Sequence, residues 1–212
     1  MLVGRRMTKD PKTVSPEDTL TRAADIMRNG GINHLPVVEE GKLVGILSDT
    51  DLRNVSLTSG PEGAAPECKD RLRKVREVMR TGVWSLTPED SLEDALLVIR
   101  RMRFGALPVL SGERLVGIIT KIDLLNAVID VLNLEDVGLR IEVSLPPDLK
   151  GFEELIATIG ELGAAVSSCV ITPERGEGTM KALLRLDTIE GPKVLSALRA
   201  KRFEVTGTSG LP

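Results

Sequence analysis

Two hydroxyl–carboxylate pairs stand at one spacing, Ser48 with Asp51 and Thr120 with Asp123. Such a pair has two chemical uses. At a strand-to-helix junction the carboxylate can accept both hydroxyls of a cis-diol such as a ribose, and the neighbouring hydroxyl can reach a phosphate or ribose oxygen. The helix start adds backbone N–H groups and a partial positive charge that suit a phosphate. The plainer use is a helix cap, in which Ser, Thr or Asp satisfies the first free N–H groups. Capping alone would explain one copy. The recurrence of both residues after an apolar Gly-led run, Gly45-Ile46-Leu47 and Gly117-Ile118-Ile119, favours a ligand.

Other chemistry is poorly supplied. His34 is the only histidine, and no Gly-x-Ser-x-Gly elbow provides a nucleophile for it. It reads as a cleft-lining or structural residue. Cys68 and Cys169 form no CxxC, so a zinc site has no ligand set. There is no P-loop and no Gly-x-Gly-x-x-Gly. Glu17-Asp18 and Glu89-Asp90 precede helix starts, where the dipole favours acids without any acid–base role. Gly30-Gly31 is too short for a phosphate cradle and reads as the end of a helix. The expectation is a chain that is not an enzyme and has neither metal nor cofactor.

The elements that must position the pairs are themselves repeated. Met7–Leu52 recurs without a gap as Met79–Leu124, at a constant offset of 72 residues. Pro16-Glu17-Asp18 returns as Pro88-Glu89-Asp90, Leu35-Pro36-Val37 as Leu107-Pro108-Val109, and Leu43-Val44-Gly45-Ile46 as Leu115-Val116-Gly117-Ile118. One supersecondary unit built twice is expected to pack on its copy and leave clefts between the two. Each copy reads strand, helix, strand, strand, helix. Leu20, Ala23, Ala24 and Met27 make an amphipathic stripe matched by Leu92, Ala95, Leu96 and Ile99. Thr19 is an N-cap candidate, and Ser91-x-x-Asp94 reads as a capping box. Glu39-Glu40-Gly41-Lys42 turns a hairpin, and Asp49–Val55 opens a second helix.

These copies, with their Leu-Pro-Val strand and Gly-h-h-Ser/Thr-x-x-Asp segment (h apolar), resemble the CBS domain, and the pair resembles a Bateman module. The resemblance covers about the first 130 residues. It implies that Ser48, Asp51, Thr120 and Asp123 contact an adenosine nucleotide such as AMP or ATP. The adenine would then need apolar walls and backbone donors. Candidates are Thr13, Val14, Ile32 and Pro36 in the first copy, with Ser85, Leu86, Phe104 and Pro108 in the second, and His34 beside them. All of these could instead be ordinary core packing, and that plainer reading is strong for Val14 and Leu86. Lys12, Lys121 or Arg103 would suit the phosphates.

After Asn133 the pattern changes. Leu139, Ile141, Val143 and Leu145 alternate with polar residues, as a half-buried strand does. Phe152, Leu155, Ile156 and Ile159 predict a helix ending near Gly163. Ala164–Thr172 reads as a strand, 173–178 as a hairpin loop, and Met180, Ala182, Leu184 and Leu186 as its partner. A helix follows from Pro192, then a strand from Phe203. The order βαββαβ is the ferredoxin-like plan and resembles an ACT domain. That family places an Asp and a Pro-Gly pair at its first turn; Pro146-Pro147-Asp148-Leu149-Lys150-Gly151 has the acid and the glycine in a different order. The whole arrangement resembles the AcuB-type proteins, associated by name with acetoin utilisation.

The expected fold class is therefore α+β or α/β: CBS repeats over 1–60 and 75–133, a linker or helix over 61–74, and an ACT-like domain over 138–210. Composition narrows the partners. An apolar fraction of 42% and a net charge of −3 suit a protein without general attraction to nucleic acid or anionic membranes. Three Phe, one Trp and no Tyr give almost no base-stacking platform. Leu72, Val75, Val78 and Met79 suggest a short helix whose other face carries Lys69, Arg71, Arg73, Lys74 and Arg76; a solvated face mixed with Glu67, Asp70 and Glu77 explains it better than nucleic-acid binding. No run of about 18 apolar residues suggests a span, and two unpaired thiols suggest the cytoplasm. A homodimer is expected, because Leu124, Leu125, Ala127, Val128, Ile129, Val131 and Leu132 wrap nearly all round one helix. The function expected is a regulatory sensor for an adenosine nucleotide that signals through the ACT-like part or to an unknown regulated enzyme. The alternative is a scaffold with no small-molecule ligand.

Overall fold

The computed structural model describes residues 1–58, 72–174 and 178–209. They gather into two compact units, Met1–Leu125 and Asn126–Pro212. Part of the expected loop over 56–66 lies outside the described residues, as do Glu67, Cys68, Lys69, Asp70 and Arg71 of the basic segment.

In the first unit each copy places most of its apolar stripe inward, although Ala24 is only half-buried and Leu96 is exposed, at the edge of the buried face. Helix α1 (Leu20–Gly30) buries Leu20, Ala23 and Met27, and α3 (Leu92–Met102) buries Leu92, Ala95 and Ile99. The Thr19 side chain accepts from the Arg22 N–H and the Ser91 side chain from the Asp94 N–H. Asp94 does not return a bond to the Ser91 backbone as a capping box would; its carboxylate takes the Ser91 hydroxyl at 2.7 Å. Gly31 ends α1 in the left-handed region (φ 59°), whereas the matching position after α3 is Arg103, with φ 56°.

Each helix leads into a hairpin. Strand β2 (His34–Glu39) pairs with β3 (Lys42–Ser48), and β4 (Ala106–Ser111) with β5 (Arg114–Thr120). Glu40 and Gly41 both have positive φ (50° and 81°), the signature of a type I′ turn whose twist matches the strands. Helices α2 (Asp49–Thr58) and α4 (Lys121–Val131) start directly from β3 and β5. Lys42 meets Arg114, so the two hairpins join through β3 and β5.

The segment before each repeat does not stay with its own copy. Strand β1 (Thr8–Lys9) pairs with β5, Thr8 opposite Ile118. At the same offset, Arg80 bridges Ile46 of β3 through two backbone bonds of 3.0 and 2.9 Å. Further back, the Val3 and Gly4 N–H groups donate to the Asp90 and Pro88 carbonyls of the second copy. The Val75 and Arg76 N–H groups donate to Asp18 and Pro16 of the first. Each copy is thus completed by the other's leading arm. The correspondence reaches back to Val3 and Val75, beyond the repeat readable from residue 7 on.

This exchange corrects the expected helix around Leu72–Met79. Only Val75–Glu77 is helical, as one 3₁₀ turn, and Leu72 is exposed. Beyond the bonds of that one turn, the backbone there bonds to the first copy, through the Val75, Arg76 and Arg80 N–H groups. Its basic side chains are also engaged: Arg73 pairs with Glu77, Arg76 with Glu17, and Lys74 Nζ donates to the Glu17 carbonyl. Of the acids flanking the helix starts, Asp18 and Asp90 accept the Ser15 and Thr87 N–H groups at 2.8 and 2.6 Å.

The second unit runs β6 (Leu139–Leu145), α5 (Leu149–Glu161), β7 (Ala165–Pro173), β8 (Met180–Asp187), α6 (Gly191–Ala200) and β9 (Glu204–Ser209). The sheet order is β7-β8-β6-β9, antiparallel throughout. This is the ferredoxin-like arrangement. Leu139, Ile141, Val143 and Leu145 alternate inward with Ala182, Leu184 and Leu186, against Leu155 and Ile159 of α5 and Val194 and Leu198 of α6. Each fully buried leucine contributes about 1.5–3 kcal/mol, and the fully buried core is aliphatic, with Phe152 and Phe203 packed at its margin. Asp148 caps α5 by accepting the Gly151 N–H at 3.1 Å. The acid and the glycine of that turn therefore hold each other. Edge strand β7 is largely exposed, with Val166 and Ile171 open.

Candidate functional site

Ser48 is the last residue of β3 and Asp51 lies in the first turn of α2; Thr120 and Asp123 stand likewise at the junction of β5 and α4. Within each pair the bonds are reciprocal. Asp51 Oδ2 accepts the Ser48 N–H at 3.0 Å and its hydroxyl, while the Asp51 N–H donates to Ser48 Oγ at 3.2 Å. Asp123 Oδ2 accepts the Thr120 N–H and hydroxyl, both at 2.8 Å, and its N–H donates to Thr120 Oγ1 at 3.2 Å. Both pairs are thus helix caps. Capping uses only one carboxylate oxygen in each, and leaves Oδ1 for something else.

The hairpin junction brings both pairs to a single cleft of about 980 Å³. Its polar wall contains Ser48, Asp49, Asp51, Thr120 and Asp123. Ile32, Ile46, Phe104 and Ile118 form apolar wall, and Lys12, Arg53, Arg80, Arg103 and Lys121 bring positive charge. Arg53 is held by Asp49 at 2.8 Å and Arg80 by Asp51. Lys12, Arg103 and Lys121 make no ion pair among the described residues. Arg103 reaches the cleft from a left-handed backbone that an arginine adopts only at a cost. A mixed wall with a few charged groups is what small-ligand sites present.

His34 stands at the start of β2, opposite Ser48. Its ring lies against Gly105, so closely that a Cβ on Gly105 would collide with Nε2. Burial holds the imidazole below its ordinary pKa; Asp49 and Asp51 oppose this, and Lys121 reinforces it.

Of the residues singled out from sequence, Ser48, Asp51, Thr120, Asp123, Ile32, His34 and Phe104 line the cleft, with Lys12, Lys121 and Arg103. Thr13 faces a separate shallow groove along α1 with Thr19, Arg22 and Asn29. Val14 and Leu86 are core: each bridges its hairpin in parallel, to Val37 and Val109, through the Pro36 and Pro108 carbonyls. Pro36, Pro108 and Ser85 are not among the cleft's lining residues. Arg80 was not legible in this role. Its place depends on the exchanged arm, and the only trace in the sequence is that Val-x-x-x-Met precedes both it and Thr8. Among the described residues no group of three or more His, Cys, Asp or Glu is placed to hold a metal.

Residues 3–58 and 75–130 each match the CBS domain. The chain belongs to the CBS-domain family. Its paired copies form a Bateman module in which the two Ser/Thr-Asp pairs share a cleft. The CBS domain-containing protein YhcV of Bacillus subtilis is 36% identical over 118 residues, covering 56% of this chain and 79% of YhcV. The inosine-5'-monophosphate dehydrogenase of Methanocaldococcus jannaschii is 36% identical over 120 residues, covering 56% of this chain but only 22% of that enzyme. Among solved structures, a putative acetoin utilization protein (AcuB) from Vibrio cholerae superposes with a TM-score of 0.55 at 32% identity, covering 64% of this chain and 95% of that one. CBSX2, solved in complex with AMP, gives 0.52 at 25% identity over 64% of this chain and 98% of its own. The CBS pair of MJ0100, solved with 5'-methylthioadenosine and S-adenosyl-L-methionine, gives 0.52 at 26% identity over 60% and 95%.

Proposed function

We propose that this chain is a non-enzymatic regulatory sensor that takes an adenosine-containing ligand, AMP, ATP or a related compound, in the cleft of its CBS pair. The observation that carries this is the convergence of two carboxylate-bearing helix starts on one cleft that also holds apolar wall and the unpaired cations Lys12, Arg103 and Lys121. A ribose suits the carboxylates, an adenine the apolar wall, and phosphates the cations. The bound adenosine compounds of CBSX2 and MJ0100 support the same ligand class. In this reading the second unit is an ACT-like domain that, alone or with a regulated partner enzyme, responds to occupancy. The chain acts as a homodimer in the cytoplasm.

Calorimetric titration with AMP, ADP, ATP, NAD and S-adenosylmethionine should find at least one binder. Asp123→Ala should weaken that binder roughly ten- to hundredfold, the size of a lost charge-assisted hydrogen bond. ATP incubated with pure protein should remain intact by chromatography. Silence from the whole panel would leave the scaffold reading, in which the Ser/Thr-Asp pairs only cap helices.

A further inference from the structure

The two carboxylates are equivalent in the repeat but not in the fold. Asp51 Oδ1 accepts two bonds from Arg80, from Nε at 3.2 Å and from Nη2 at 3.1 Å. Arg80 holds this place because its backbone is fastened to Ile46 of β3, two residues before Ser48. The matching residue of the other arm is Thr8, fastened to Ile118 of β5. A threonine has no positive charge to offer, and Asp123 Oδ1 has no protein partner among the described residues. Burial follows the same division. Asp51 is only 8% exposed, while Asp123 is half-buried. The Arg80 side chain is itself 67% exposed, so it can turn away without unpacking the core.

From this asymmetry, and resting on the adenosine reading above, we propose that Arg80 makes the two halves of the cleft chemically selective. The Asp123 half accepts a neutral adenosine compound. The Asp51 half accepts only one that carries a phosphate. A ribose hydroxyl offers a neutral hydrogen bond, which competes poorly with a bidentate guanidinium on the same oxygen. A phosphate gives that guanidinium a second anion to pair with, and so frees Asp51 Oδ1 for the ribose. Arg80 is thus a specificity residue that reads ligand charge.

The test is calorimetry on the full chain with adenosine and AMP. Wild type should bind adenosine at one site per chain and AMP at two. Arg80→Ala and Arg80→Gln should both admit adenosine at a second site and weaken AMP there by roughly ten- to hundredfold. Arg80→Gln retains a donor for the buried Asp51 and guards against loss of the fold. The reciprocal change, Thr8→Arg, should abolish adenosine binding while AMP still binds. Any wild-type adenosine stoichiometry other than one per chain overturns the proposal, as does a stoichiometry that ignores both Arg80 variants. If neither adenosine nor AMP binds, this proposal falls, and the adenosine reading falls with it only when ADP, ATP, NAD and S-adenosylmethionine are silent too; binding with the wrong stoichiometry overturns this one alone.

Discussion

At the scale of residues, His34 reports on the cleft because the chain has no other histidine. Its imidazole is held down mainly by burial against the second copy. In the unfolded chain it takes up a proton near pH ~6.5; in the folded protein it does so only at lower pH. Between those values the unfolded state binds more protons. Stability therefore falls as pH is lowered through that window, and the loss is complete below the folded value. A proton NMR titration of the His34 ring should give a midpoint below that of a free imidazole, and His34→Gln should remove this part of the acid-side loss in urea unfolding. A midpoint at or above the free value would mean the ring is not buried against Gly105. Thr120 acts more locally. Thr120→Ala removes the oxygen that accepts the Asp123 N–H, and should cost about 1 kcal/mol of stability by urea denaturation.

At the scale of elements, the glycine of each Gly-h-h-Ser/Thr segment has a steric cause. A Cβ on Gly45 would lie 2.8 Å from Met79 Sδ and 2.9 Å from the Arg80 carbonyl oxygen. Gly117 meets Met7 and Thr8 of the other arm in the same way. A methionine side chain can move, but the Arg80 carbonyl is tied to Ile46. Gly45→Ala should therefore destabilise by roughly 1–3 kcal/mol, the usual cost of overpacking, and the double variant with Met79→Ala should recover only part of it. Full recovery would show that the arm's backbone does not press on β3. The end of α3 gives the opposite case. Arg103 sits in the left-handed region where its counterpart is Gly31, so Arg103→Gly should raise stability by about 1 kcal/mol. The same change removes a cation from the cleft and should weaken phosphate-bearing ligands more than adenosine. Stability given up at a binding site is a common exchange.

At the scale of the whole molecule, the apolar surface asks for a partner. Helix α4 was expected to be covered on more than one side, yet the chain by itself buries Leu124 and Ala127 while Ile122 and Leu125 remain 63% and 53% exposed. Leu96, Leu97 and Met102 of α3 are also open. A second copy related by a twofold axis would cover such faces in pairs. Light scattering should give a mass near twice 22.9 kDa at micromolar concentration, and Leu97→Glu or Leu125→Glu should lower it. A wild-type monomer would end the dimer reading. No helix among the described residues is long and apolar enough to cross a membrane.

The sequence by itself determined what periodicity and self-similarity can express. The stripe Leu20-Ala23-Met27, the Glu40-Gly41 turn, the alternation from Leu139 to Leu145 and the two Ser/Thr-x-x-Asp pairs all depend on neighbours within a few residues. They appear where local spacing places them. Only the tertiary structure decided which copy each leading arm completes, because Thr8 and Arg80 pair with strands more than thirty residues away or in the opposite repeat. A residue's distant partner leaves no period in its own segment. For that reason the helix expected around Leu72–Met79 became a single 3₁₀ turn within an exchanged arm, and Arg80 arrived at Asp51. The inequality of two carboxylates that look identical in the repeat is a property of the packed arms, not of the motif.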